Sequence, residues 1–141
     1  MYAQHLGYGV LVDLARMIAT GERISLEMPY VNLISQRDAI DRSLRGLEVA
    51  ANPSAVFNVS GPYCNVREIC LKLAAVLGRE PIFATEEADT ALIANDSFCV
   101  ERFGPYRDNW EDMIVAAANW VKAGGEYWNL PTKFGSADHV Y

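Results

Sequence analysis

AVFNVSGPYCNVREICLKLAAVLG, the stretch from Ala55 to Gly78, decides the reading of the fold. Ala55 to Val59 is a compact apolar run of the kind that makes a buried strand, and Ser60-Gly61-Pro62 then lets the chain change direction. Val66, Ile69, Cys70, Leu73, Ala74 and Leu77 follow at three- and four-residue spacing, which puts them on one face of a helix. Asn65 with Glu68 three residues on has the spacing of a capping box, which satisfies free amides at a helix start, and Gly78 is a natural stop. A strand, a glycine-bearing loop and a helix in this order make the repeating unit of an α/β protein.

Upstream, Leu11, Leu14, Ala15 and Ile18 predict a helix over Tyr8 to Thr20, ended by Gly21. Ile24 to Leu26 and Val31 to Ile34 are short strand-forming runs, kept apart by Met28-Pro29 because proline blocks a continuous strand. Arg37 to Ala50 returns to helical spacing through Ile40, Leu44 and Leu47, with Asp38 near its start, where a carboxylate suits the positive end of the helix dipole. Downstream, Pro81 to Ala84 reads as a strand and Glu86 to Asn95 as an irregular loop. Asp96 is placed to cap a brief helix that stops at Gly104-Pro105. A last helix over Asn109 to Ala123 carries Met113, Ile114, Ala117, Trp120 and Val121 and closes on Gly124-Gly125. Residues 1–125 therefore read as one unit, and Glu126 to Tyr141, without periodicity, as a tail docked on the body or on a partner.

A chain of 141 residues suffices for one domain, burying about 70% of the surface it exposes when unfolded. The net charge of −6 and the lack of clustered Lys and Arg argue against nucleic-acid binding. Apolar runs of only a few residues argue against a membrane span, and without a charged-then-apolar leader the expected location is cytoplasmic. Cys64, Cys70 and Cys99 are odd in number and lack Cys-x-x-Cys spacing, so buried thiols are expected instead of disulfides or zinc. His5 and His139 lie near opposite ends, and no metal is expected. Gly7-Tyr8-Gly9 lacks the third glycine of a dinucleotide turn, and Gly124-Gly125 follows a helix instead of preceding one, so no residue is assigned to cofactor binding. No nucleophile elbow or phosphate loop is present, Glu86-Glu87 and Asp89 read as a solvated loop, and no residue is assigned a catalytic role.

The order of elements carries a resemblance. Tyr8 to Arg16, Gly21-Glu22, Tyr30 to Ala39, Asn58-Val59-Ser60-Gly61 with Val66 to Ile69, and Leu77-Gly78-Arg79 together resemble the C-terminal half of extended short-chain dehydrogenases of the NAD-dependent epimerase/dehydratase family. Asp38-Ala39 is similar to that family's Asp-Val-Ala element, and the segment from Asp112 to Gly125 to its terminal helix; the likeness runs from about Tyr8 to Gly125. The fold it implies is α/β, helices with short strands, with the Rossmann half absent. The family's catalytic Tyr-x-x-x-Lys pair is absent too, since no tyrosine here has Lys four positions on and Tyr63 meets Arg67 instead. On the family's plan Met1-Tyr2-Ala3 is the remnant of a sheet strand.

The resemblance implies a substrate-side fragment of an oxidoreductase-like enzyme acting on a nucleotide-sugar or similar substrate, inactive alone. NAD or NADP would be held by the parent protein and not tightly by this chain. The implied partners are the substrate, the missing Rossmann half and a second parent subunit in a homodimer. Tyr8, Asn32, Gln36 and Asp38 fall near the implied cleft, where the amides of Asn32 and Gln36 offer donors and acceptors to hydroxyls. Surface amides and a helix-start carboxylate are the competing reading of these residues. Arg16 and Arg37 are candidates for a diphosphate or else solvated helix charges, and Trp110, Trp120, Trp128 and Tyr127 for ring stacking or for covering a partner surface. A non-enzymatic binding or regulatory module derived from the same fold is the alternative.

Overall fold

The computed structural model describes residues 7–130 and 132; Met1-Tyr2-Ala3, His5 and His139 lie outside the described residues. Three helices form the core: α1 (Val10–Thr20), α3 (Val66–Leu77) and α5 (Trp110–Lys122), each packed on the other two. Leu11, Leu14 and Ile18 of α1, Ile69, Cys70 and Leu73 of α3, and Ile114, Ala117 and Ala118 of α5 are buried where the three meet. The 3.6-residue period brings these positions to one face of each helix, and each large side chain so buried contributes about 1.5–3 kcal/mol.

The ends of the core helices are closed by their own sequence. The Asn65 side chain accepts from the Glu68 amide at 2.9 Å and the Asn109 side chain from the Glu111 amide at 3.1 Å. Gly21 and Gly78 both take the left-handed conformation, φ 79 and 71, that ends a helix by returning amides to its last carbonyls. Glu68 itself turns to Lys72, so half of the capping box forms.

Strands are short and fall into two pairs. β1 (Arg23–Ile24) runs parallel to β4 (Ile82–Phe83), and β2 (Tyr30–Asn32) antiparallel to β3 (Tyr63–Asn65), with Val31 opposite Cys64. The two runs flanking Met28-Pro29 are thus strands, as their composition predicts, but belong to different sheets. β3 was not foreseen: Tyr63 to Asn65 looks like loop and cap, and its pairing comes from β2. Gly61 makes that approach feasible, since at φ 75 a Cβ would overlap the Leu33 carbonyl.

Three expectations need correction. Ala55 to Val59 is not a buried strand: residues 51–62 form no strand, and Val56 is 95% exposed. Asp96 precedes α4 (Ser97–Phe103) without capping it by its side chain; Asn95 accepts from the Ser97 amide at 3.0 Å instead. The helix expected over Arg37 to Ala50 divides into α2 (Gln36–Arg45) and a 3-10 turn (Gly46–Val49), and its cap is Ser35, which accepts from the Asp38 amide at 3.0 Å.

Candidate functional site

The β2–α2 corner gathers three of the four residues singled out from the sequence. Asn32 ends β2, Gln36 opens α2, and Asp38 stands in the first turn of α2. Each has a different employment. The Asn32 amide donates to the Gly61 carbonyl at 2.8 Å and the Ala94 carbonyl at 3.1 Å, while its oxygen accepts from the Ala94 amide at 2.8 Å. It therefore acts like one rung of a ladder, holding the irregular 86–95 loop against β2. Asp38, 1% exposed, accepts from the Arg107 amide at 3.1 Å and the Asp108 amide at 3.0 Å. Gln36 is exposed.

Tyr8, 41% exposed, stands apart. Its ring lies nearly parallel to that of Trp128 with centroids 6.5 Å apart, and among the described residues no hydrogen bond or ring contact links it to the other three. The Trp128 amide donates to the Gly7 carbonyl at 2.9 Å, and a Cβ on Gly7 would fall 2.8 Å from the indole nitrogen. Gly7 is thus needed for the close approach of Trp128. Tyr127 donates to Asp13 at 2.7 Å beneath the Arg16 guanidinium, 4.3 Å from its ring centroid. That hydrogen bond, with burial, pushes the Tyr127 phenol up. Tyr127 therefore lies against α1 through Asp13 and Arg16.

Arg16 and Arg37 have local partners, Tyr127 for the first and Asp108 for the second. Trp110 and Trp120 pack against the core, and only Trp128 of the three tryptophans is half exposed. All three cysteines are buried. Burial pushes the Cys64 thiol up to about 11 and that of Cys70 to about 12, and raises Cys99 as well, which keeps them protonated and poor nucleophiles.

Sequence reasoning missed Arg42. It is 2% exposed, and its Nη1 donates to the Phe103 carbonyl at 2.7 Å while Nη2 donates to those of Gly104 and Pro105 at 2.8 and 2.7 Å. Arg45 adds a second donor to the Phe103 carbonyl at 2.8 Å. Asp38 and Arg42, one turn apart on α2, thus hold the 103–108 segment from both polarities, the carboxylate by its amides and the guanidinium by its carbonyls. Beside them Tyr106 donates to Asp96 at 2.6 Å, and burial together with that bond raises its phenol. The signal lay in the sequence as Asp38, Arg42 and Arg45 recurring on one side of the helix, opposite Ile40, Leu44 and Leu47.

Among the described residues no group of His, Cys, Asp and Glu could hold a metal ion, and no helix is long and apolar enough to cross a membrane.

Core helices, paired short strands and the β2–α2 corner together make an α/β fold that is similar to part of several solved enzymes. Solved structures that share it include three enzymes. The Bordetella bronchiseptica enzyme WbmG in complex with NAD and UDP matches with a TM-score of 0.61 at 16% identity, over 89% of this chain and 43% of its own. WbmH of the same organism, in complex with NAD+, matches at 0.57 and 12% identity, over 92% of this chain and 42% of its own. The UDP-N-acetylglucosamine 4-epimerase of Methanobrevibacter ruminantium M1, in complex with UDP-N-acetylmuramic acid, matches at 0.57 and 16% identity, over 82% and 40%. This chain thus spans about two fifths of the length of the structures it matches. No protein-family model and no curated protein matches it.

Proposed function

We propose that this chain is the substrate side of an NAD(P)-dependent enzyme of the epimerase/dehydratase kind, acting on a nucleotide-sugar. The hydride chemistry would come from NAD or NADP held by a dinucleotide-binding half, and the chain alone would be inactive. One observation carries the reading: in the three structures named above the bound molecules are NAD and uridine nucleotides, UDP in one and UDP-N-acetylmuramic acid in another. The sequence adds that neither a Gly-rich strand–turn–helix nor a Tyr-x-x-x-Lys pair occurs in these 141 residues. Residues 1–125 would form the substrate wall and 126–141 its docked tail, in a cytoplasmic parent that assembles as a homodimer.

Of the four proposed substrate-binding residues, Tyr8 and Gln36 would reach the ligand, one with its exposed ring and the other with an exposed amide. Asn32 and Asp38 would serve the same cleft by fixing the loops around it, through the bonds to Ala94 and to Arg107 and Asp108. In this role the protein's part is to bind and orient the sugar nucleotide while a partner half supplies the proton and hydride groups.

The test is turnover. Purified chain, incubated with NAD and UDP-N-acetylglucosamine, should give no epimer and no reduced cofactor, whereas the chain joined to a dinucleotide-binding half should give product. Turnover by the 141-residue chain alone refutes the reading. The non-enzymatic module draws support from Asn32 and Asp38, whose polar groups serve the protein's own backbone; binding of a uridine nucleotide without turnover even in the joined protein would favour it.

A further inference from the structure

Tyr8 is half exposed, and its own neighbourhood does not fix it. Gly7 and Gly9 flank it, both buried, with Gly9 at φ 131, and α1 begins at Val10 without a side-chain cap. Glycines leave the backbone freer than any other residue, so a ring standing between two of them wanders unless something ties it. The ties come from the chain that follows α5. Gly124 turns that chain at φ 68, and the Gly125 amide donates back to the Trp120 carbonyl at 2.9 Å. Three contacts then fix the next three residues. The Trp120 indole donates to the Glu126 carbonyl at 3.1 Å, Tyr127 donates to Asp13 at 2.7 Å, and the Trp128 amide donates to the Gly7 carbonyl at 2.9 Å. Each anchor lies in a different place: α5, α1 and the segment ahead of α1.

We infer that Glu126-Tyr127-Trp128 is a clasp and that Trp128 is the positioning residue for Tyr8, holding its ring ready for the flat face of a sugar or base. The inference rests on the functional reading above, in which Tyr8 reaches the ligand, and brings to that site a residue from the far end of the chain. The two rings lie within 11° of parallel with centroids 6.5 Å apart, inside the range of about 4.5–7 Å over which aromatic pairs attract. Their approach is built into the backbone, since a Cβ on Gly7 would stand 2.8 Å from the indole nitrogen and 3.1 Å from the Glu126 carbonyl. Tyr8 remains 41% exposed with Trp128 against it, so the clasp steadies the ring without covering it. A side chain ordered before the ligand arrives loses less entropy on binding. Because α1 and α5 pack on each other in the core, the clasp ties Tyr8 to the most rigid part of the fold.

Nuclear magnetic resonance on the 141-residue chain, titrated with UDP-N-acetylglucosamine, tests this. The unmutated chain should show Overhauser contacts between the Tyr8 ring and the Trp128 indole, and the Tyr8 resonances should shift on titration. Trp128→Ala should weaken binding about five- to tenfold, the cost of immobilising one side chain on binding. Its melting temperature should stay unchanged, since Trp128 is 55% exposed and lies outside the core cluster. Trp128→Phe, which keeps a ring, should restore most of the affinity. Gly7→Ala, whose Cβ has no room beside the indole, should weaken binding as Trp128→Ala does. The double variant Tyr8→Ala/Trp128→Ala should bind no more weakly than Tyr8→Ala, because Trp128 acts only through Tyr8. Additive losses in the double variant overturn the inference, as does Trp128→Ala with unchanged affinity, or Trp128→Phe as weak as Trp128→Ala. Absence of the Tyr8–Trp128 Overhauser contacts in the unmutated chain overturns it too. An unmutated chain that shows those contacts, loses them in Gly7→Ala and yet binds no sugar nucleotide sinks the functional reading and leaves the clasp standing.

Discussion

Removing the Arg42 guanidinium should destabilise the protein by about 2 kcal/mol. Arg42 is nearly completely buried, and its two terminal nitrogens serve three main-chain carbonyls in a row, those of Phe103, Gly104 and Pro105. The Arg42 guanidinium also lies over the rings of Phe103 and Tyr106; Arg42→Met keeps an unbranched apolar stem there, so the change removes the donors with a smaller loss of volume than Ala would bring. The Phe103 carbonyl keeps Arg45 as a partner, which leaves two carbonyls without their donor. Each of these part-buried acceptors, when orphaned, costs about 1 kcal/mol, the low end of the range for a buried group, giving about 2 in all. Replacing a buried charge with an apolar side chain can be neutral where its partner is replaced too, but a backbone carbonyl cannot be mutated away. Urea unfolding followed by circular dichroism reads the loss directly, and a chain of this size should melt roughly 6 °C lower, at about 3 °C per kcal/mol. Arg45→Ala should couple to it: with both donors gone the Phe103 carbonyl is orphaned as well, so the double variant should lose at least 0.5 kcal/mol more than the sum of the singles, the scale of coupling for residues sharing a partner. A loss under about 1 kcal/mol for Arg42→Met would refute the reasoning, since the three carbonyls would then have other partners in solution.

Asn32→Ala should cost about 2–4 kcal/mol, from three hydrogen bonds of about 0.5–1.5 each, and should speed hydrogen exchange at the Ala94 amide at least tenfold. Unchanged exchange at Ala94 would mean that the loop is held by something else. Alkaline pH should destabilise the protein through its thiols: with Cys64 raised to about 11 and Cys70 to about 12 from the ordinary value of 9.0, the fold favours the protonated forms. The stability they lend is intact below pH 9 and is lost as pH rises through 11 to 12, so urea midpoints should fall from pH 9 upward and fall less steeply in Cys64→Ala. A midpoint independent of pH between 8 and 11 would contradict this.

What could be read from the sequence was the part that depends on neighbours three and four residues away. α1, α3 and α5 bury the faces their periodicity marks, and Gly21, Asn65, Gly78 and Asn109 close them where the residue types indicate. β3 was invisible because a three-residue strand is made by its partner: Tyr63 to Asn65 carries no alternation, and its register comes from Tyr30 to Asn32 across the pair. The site was half legible. Asn32, Gln36 and Asp38 do come together at the β2–α2 corner, but nothing local discloses that Asn32 reaches Ala94, sixty-two residues on, or that Asp38 reaches the Arg107 and Asp108 amides.

α2 shows where local reading reaches its limit. With the 3-10 turn that follows, its sequence divides into a side bearing Asp38, Arg42 and Arg45 and a side bearing Ile40, Leu44 and, in the turn, Leu47, and periodicity predicts that the second faces inward. The polar side is the buried one, because the 103–108 segment offers it carbonyls and amides that answer a guanidinium and a carboxylate. The helix is fastened to the rest of the described chain by its charged side, and its apolar side is left exposed. Val56, 95% exposed in the run that follows, has the same logic, since a β-branched residue in an extended and unpaired segment gains nothing from water. Helix and run fail the inward-facing expectation for one reason, that burial is a property of the whole assembly while periodicity belongs to the segment. Pattern alone therefore misjudges both segments: the polar side of α2 is buried because 103–108 answers it, and Ala55 to Val59 stays exposed because no strand among the described residues pairs with it.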